Sequence, residues 1–185
     1  MSLTVKDLEK LQELSPDYRM ELVDGEVIVM SPSGYESEEI TTRISSKLFE
    51  HVDKNRLGRV TGSNAGFILP NSDVRAPDVS FVLAQRLRKS PRGFAELAPD
   101  LIFEVKSPTD SLKKLREKID SFLEQGTTVG VLIHPEQHWI EIRRMDQEPM
   151  TLGDGNVLAI PDLLPGWEVR VDDLWSAEFP EVEDE

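Results

Sequence analysis

The sequence predicts an α/β (α+β) domain: a small mixed β-sheet flanked by helices, with a β-hairpin near the N-terminus. Three observations carry that prediction. Stretches with apolar residues at helical spacing alternate with short apolar runs bounded by Gly, Pro, Asn and Asp. One run, Leu101 to Lys106, is apolar at four of its six residues and stops at Ser107-Pro108, as a buried strand does. The 185 residues suit one core that buries roughly 70% of the unfolded surface.

Thr4 to Leu14 reads as a short helix with Thr4 as N-cap and Asp7 three residues on. Glu21 to Met30 reads as a hairpin, because Asp24-Gly25 is a two-residue turn signal between Leu22-Val23 and Val27-Ile28-Val29. After the break at Ser31-Pro32-Ser33-Gly34, a helix is expected from Glu36 to Lys54, with Ile40, Ile44 and Leu48 on one face. Short strands follow near Arg59–Thr61, Phe67–Leu69 and Val79–Leu83. Residues 84–98 are basic and irregular, fitting a short helix and then a loop. Beyond the strand at 101–106 come a helix from Leu112 to Glu124, strands at Val129–Ile133 and Trp139–Arg143, and a turn at Gly153-Asp154-Gly155-Asn156. Leu164-Pro165-Gly166-Trp167 and Asp172-Asp173-Leu174-Trp175 suggest a docked segment ending in a short helix. Residues 1–177 are therefore read as one domain. Residues 178–185, with five acids and no base, are read as a disordered tail.

Composition narrows the setting. No run reaches the ~18 apolar residues of a membrane span, and the N-terminal stretch lacks a signal peptide's apolar core. The absence of cysteine excludes disulfides and thiolate metal sites and fits a cytoplasmic location. A net charge of −14 disfavours tight non-specific binding of nucleic acid. The charge is uneven, however: residues 43–118 hold 15 of the 21 bases but only 9 of the 35 acids. The central segment is thus basic, and the acidity lies in its flanks.

That segment contains Pro77-Asp78 and, after 25 intervening residues, Glu104-Val105-Lys106. Two carboxylates and an ammonium group are the minimum set for metal-assisted phosphodiester cleavage. Glu104 and Lys106 would share one face of their strand, roughly 6–7 Å apart. An acid and a base inside an apolar strand are costly unless paired or bound to a metal. The same two residues also fit a plain ion pair, and Asp78 alone fits a turn or capping residue.

The order of Glu21-Leu22-Val23-Asp24-Gly25-Glu26, Met30-Ser31-Pro32, Ala76-Pro77-Asp78-Val79, Pro99-Asp100-Leu101-Ile102-Phe103-Glu104-Val105 and Leu164-Pro165-Gly166-Trp167 resembles a large bacterial family of restriction-endonuclease-like proteins. That family falls within the PD-(D/E)XK nucleases, and the resemblance spans roughly residues 17–175. It implies a restriction-endonuclease-like core and metal-dependent hydrolysis of DNA. Asp78 and Glu104 would hold Mg²⁺, with Mn²⁺ as substitute, and Lys106 would position or activate the attacking water. Carboxylate oxygens are the hard ligands these ions prefer. Two departures stand out: members often carry His where this chain has Glu36-Ser37-Glu38-Glu39, and Asp-Pro where it has His134-Pro135.

Other candidates are weighed against this set. Asp100 lies about 13 Å from Glu104 along the same strand, too far to share its metal. Glu36, four residues before Ile40, could face inward and complete the metal site, or could simply stabilise a helix N-terminus. Lys118 reads as a solvated helix charge more readily than as a phosphate contact. His51, His134 and His138 are too scattered for zinc. The three tryptophans read as core or dimer contacts. A symmetric homodimer would provide two sites for two strands, and the acidic flanks leave room for a protein partner that supplies DNA affinity. The alternatives are a non-catalytic nucleic-acid- or protein-binding module on this fold, and a hydrolase of RNA or another phosphoester.

Overall fold

The computed structural model describes residues 2–180. Residues 181–185 of the acidic tail lie outside the described residues. The first helix, α1 (Val5–Leu14), begins with a capping box, in which Thr4 and Asp7 satisfy each other's backbone amides. Strands β1 (Arg19–Val23) and β2 (Glu26–Met30) form the expected hairpin, two residues longer at its start. Asp24 and Gly25 both have positive φ, 51° and 77°, as a turn matched to strand twist requires. A side chain at Gly25 would also strike Ser2, its Cβ lying 2.5 Å from that of Ser2.

Helix α2 (Tyr35–Asn55) buries Ile40, Ile44 and Leu48, the stripe read from the sequence, and extends it to Val52. It lies on strands β3 (Gly58–Gly62), β6 (Val79–Leu83) and β7 (Leu101–Val105). Helix α3 (Leu112–Glu124) covers β7 and β8 (Val129–His134) from the other side. With β9 (Trp139–Arg143) and β10 (Met150–Gly153), these strands form a six-stranded sheet in the order β10-β9-β8-β7-β6-β3. Only β7 and β8 run parallel. They are the pair joined by a crossover helix, α3, as parallel strands must be.

The sheet is buried on both faces. Leu101, Phe103 and Val105 point toward α2, while Ile102 joins Ile119 and Phe122 under α3. By alternation Glu104 belongs to the α3 face.

At the periphery the structure adds to the sequence reading in two places and differs from it in two. The N-terminal hairpin is not part of the main sheet; it builds a second sheet, β2-β1-β5-β4, with β4 (Phe67–Ile68) and β5 (Val74–Arg75). Residues 84–98 form no helix and are held by a bridge between Ala95 and Phe67. Beyond β9 the chain adds β10, β11 (Val157–Ala159) and β12 (Glu168–Arg170), none read from the sequence. These strands are three or four residues long, too short for periodicity to declare them. The expected terminal helix is one 3-10 turn, Val171–Leu174. Trp167 is a core residue, edge-on to Phe103 at 6.3 Å. Among the described residues, no helix is long and apolar enough to cross a membrane.

Candidate functional site

The small sheet and α3 enclose a cleft of about 910 Å³ over one end of the main sheet. Its wall and floor include Glu21, Asp78, Glu104 and Lys118, each delivered by a different element. Glu21 comes from β1, Asp78 from the turn before β6, Glu104 from β7 and Lys118 from α3.

Asp78 is fixed by the sheet itself. Its Oδ2 accepts a 2.8 Å hydrogen bond from the Val105 amide at the end of β7. Its second oxygen has no hydrogen-bond partner among the described residues. The charge of Asp78 raises the Glu104 carboxyl, and Lys118 acts on both.

Glu104 is buried, and its charge partner is Lys118 rather than Lys106. The Lys118 Nζ donates to Glu104 Oε2 at 3.2 Å and to the Ala76 carbonyl at 3.0 Å. It lies 2.9 Å from Glu104 Oε1 and 3.4 Å from Glu21 Oε1. Oε1 of Glu104 is buried and, among the described residues, makes no hydrogen bond beyond this ion-pair contact with Lys118. Glu21 is buried too, and its Oε1 accepts from the Ala76 amide at 3.0 Å.

One ammonium therefore faces three carboxylates. Burial pushes Glu104 up to about 8, with Lys118 opposing the rise and Asp78 adding to it. Asp78 is also raised by burial, against the pull of Lys118 and the Val105 amide. Burial works to lower Lys118, but Glu104, Glu21 and Asp78 outweigh it and hold the ammonium firmly protonated. The two partners pull in opposite directions, and charge counting reconciles them. The pair is real, yet one cation cannot neutralise three acids, so near neutral pH the coupled Glu104–Asp78 site takes up a proton.

Lys118 is the main correction to the sequence reading. Its side chain is 15% exposed, not a solvated helix charge. The signal was present: Lys118 lies three residues after Leu115 and four before Phe122, on the apolar stripe of α3. Glu21 was likewise visible only as part of a motif, because its strand alternation could not show which face the main body would cover.

Lys106 stands elsewhere. Strand β7 ends at Val105, and the chain turns through Ser107–Asp110, where Asp110 accepts from both the amide and the hydroxyl of Ser107. The Lys106 Nζ donates to the Ser107 carbonyl at 2.9 Å, outside the residues lining the cleft. Its charge acts on His134, which burial and Lys106 together hold below the ordinary histidine range. Glu36 is exposed in the first turn of α2 and does not line the cleft; the carboxylate of that turn whose charge reaches Asp78 is Glu38. Asp100 is engaged elsewhere, pairing with Arg86 at 2.7 Å and capping the Leu83 amide.

Among the described residues, no three His, Cys, Asp or Glu side chains are gathered into a ready metal cage. The donor set nevertheless fits a hard divalent ion. It offers a buried Glu104 oxygen held only by the Lys118 ion pair, an unengaged oxygen on Asp78 and an excess of negative charge. Mg²⁺ keeps several waters and needs only one or two protein carboxylates.

The comparisons with known proteins agree with this architecture. Residues 5–172 match the family described as "Uma2: Putative restriction endonuclease", and the chain belongs to that family. Among solved structures, it is similar to one described as "a putative nuclease belonging to DUF820" from Anabaena variabilis, at 22% identity and a TM-score of 0.81. That match covers 93% of this chain and 97% of the other, and it establishes a shared nuclease-like fold. No curated protein matches the chain.

Proposed function

We propose that this protein is a Mg²⁺-dependent endodeoxyribonuclease whose active site is the Asp78–Glu104–Lys118 cluster. The observation that carries the proposal is the convergence of two partly unsatisfied carboxylates and one buried ammonium in a single cleft. Family membership supports the same reaction class.

Asp78 and Glu104 would hold the metal, and Glu21 would balance Lys118 from behind. A divalent ion there supplies neutralising charge for the scissile phosphate and an acidified water as nucleophile. Asp78 is pre-oriented by the Val105 amide, so little reorganisation accompanies ligation. Glu104 must give up its proton as the metal binds. Lys118 stays protonated, so it cannot act as a base. It would orient the water, favour its deprotonated form and stabilise the charge that accumulates on phosphate oxygens. We therefore assign to Lys118 the cation's role that the linear motif assigns to Lys106. A homodimer would place two such sites on one duplex; a monomeric mass by light scattering on the DNA-bound protein would contradict that part.

The test is cleavage of end-labelled duplex DNA with Mn²⁺, comparing the wild type with Glu104→Gln, Lys118→Met and Lys106→Met. Loss of about a hundredfold or more in the first two, with Lys106→Met near wild type, is the expected result. Cleavage that survives Lys118→Met and fails in Lys106→Met would return the role to Lys106. Binding without cleavage in any metal, with the same Kd in all variants, would favour a non-catalytic module.

A further inference from the structure

We infer that Arg75 is an anion clamp that grips a backbone phosphate of the nucleic acid beside the one being cleaved. This inference rests on the proposed function for the identity of the ligand, but on separate atoms of the cleft.

Arg75 ends β5, one residue before Ala76, whose carbonyl holds the Lys118 ammonium. Its side chain is only 12% exposed, yet the guanidinium makes no hydrogen bond among the described residues. The Nε is a buried donor without an acceptor. The nearest carboxylate, Asp73, keeps its Oδ2 3.7 Å from that Nε, beyond hydrogen-bonding distance, and commits its Oδ1 to the Asp24 amide. Glu21, the other buried acid nearby, is engaged with Ala76 and Lys118.

A guanidinium carries five donors in a rigid fork, and leaving them unsatisfied away from water is costly. The groups that match the fork are carboxylates and phosphates. Here the only such contact among the described residues is a loose ion pair to Asp73 at 3.7 Å, with no hydrogen bond, while Arg75 lines the main cleft and the adjoining pocket of about 250 Å³. Arg19 lines the same two spaces, but its guanidinium is tied to the Ser63 carbonyl. A linear polyanion running from the floor of the cleft toward the smaller pocket would therefore pass Arg75 next. The acidic surroundings sharpen the need, since a phosphate entering past Glu21, Asp73 and Asp78 requires a fixed positive anchor. The ligand class is a phosphodiester chain, not an isolated metal or a peptide.

The test uses binding, not turnover. A fluorescently labelled duplex oligonucleotide is titrated with protein in Ca²⁺, across a series of KCl concentrations, by anisotropy. The wild type should bind with a steep salt dependence. Arg75→Gln should weaken binding about tenfold and make the log–log salt slope shallower by about 1, the signature of one lost phosphate contact. Arg75→Lys should keep the slope but lose several-fold in affinity, since a point charge cannot reproduce the fork. Lys54→Gln, a solvent-facing lysine outside the cleft, should change neither. Unchanged affinity and slope in Arg75→Gln, with circular dichroism as in the wild type, would overturn the inference. Absence of salt-dependent binding in the wild type would do the same. If Arg75→Gln does not fold, Arg75→Lys decides: wild-type affinity there also overturns it. Failure of cleavage alongside Arg75-dependent binding would instead count against hydrolysis and leave the clamp standing.

Discussion

The ammonium of Lys118 stands 2.9 Å from Glu104 Oε1, so the acid of the linear Glu-x-Lys motif takes its cation from the following helix and not from two residues along its own strand. Lys118 thereby becomes both a structural keystone and a candidate catalytic group. Its removal should separate those roles. In EDTA, Lys118→Met should destabilise the fold by about 3 kcal/mol, because it leaves buried acids without a counter-charge. Mn²⁺ should bind that variant more tightly than the wild type, as the competing cation is gone. Chemical denaturation with and without metal would show both effects; weaker metal binding would contradict this reading.

The proton on Glu104 makes metal-free stability depend on pH. Its folded value, about 8, lies above the ordinary 4.5, so the folded state binds more protons than the unfolded state between those limits. The stabilisation is complete below about 4.5 and is lost as the pH rises through about 8. In EDTA, the wild-type Tm should therefore decline from mildly acidic to mildly basic pH. Glu104→Gln should flatten that decline, and parallel Tm profiles for the two proteins would count against it. Metal affinity should rise with pH over the same window, because binding expels the proton.

A second carboxylate behaves in the opposite sense. Glu141 on β9 is clamped by Arg116 of α3 at 2.7 and 3.1 Å and by Arg143 at 2.7 Å. Burial works to raise it, but hydrogen bonds from Arg116 and Arg143 prevail and hold it below the usual carboxylate range. Its contribution is present above about 4.5 and lost as the pH falls through the depressed value. Glu141→Gln should cost about 2 kcal/mol near neutral pH and lose part of the acid limb of the stability profile. This clamp also fixes the position of α3 along the sheet, so the variant should lower any cleavage rate without touching the cleft.

Gly130 tests the same coupling through packing. A Cβ on this β8 residue would sit 2.2 Å from Ile119 Cγ2, and Ile119 directly follows Lys118. A β-branched side chain in a helix has little freedom to retreat. Gly130→Ala should therefore cost about 2 kcal/mol and displace the helix that carries the ammonium. Wild-type stability in a urea titration would show that α3 is more loosely seated than described.

The sequence made much of the main body legible because its signals are local. Asp24-Gly25 specifies a turn with two positive φ angles, Ile40, Ile44 and Leu48 mark a helix face, and β7 ends within one residue of the stop expected at Ser107-Pro108. The site was legible only as far as residues that share one short motif. Asp78 and Glu104 do meet in one cleft, but Lys118 and Glu21 join them through the packing of α3 and the folding-over of β1. Neither contact has a sequence distance that periodicity can measure. Lys106 is not among the residues that line the cleft: strand alternation governs direction only while the strand lasts, and β7 stops one residue before it.

The central claim is a shared divalent-metal site on Asp78 and Glu104. Isothermal titration of Mn²⁺ into the wild type, Asp78→Ala and Glu104→Ala, with folding verified for each, addresses it most directly. One or two binding events in the wild type that vanish in both variants is the predicted result. Equal, weak binding in all three proteins would contradict it, and would leave Glu104 and Lys118 as a structural ion pair.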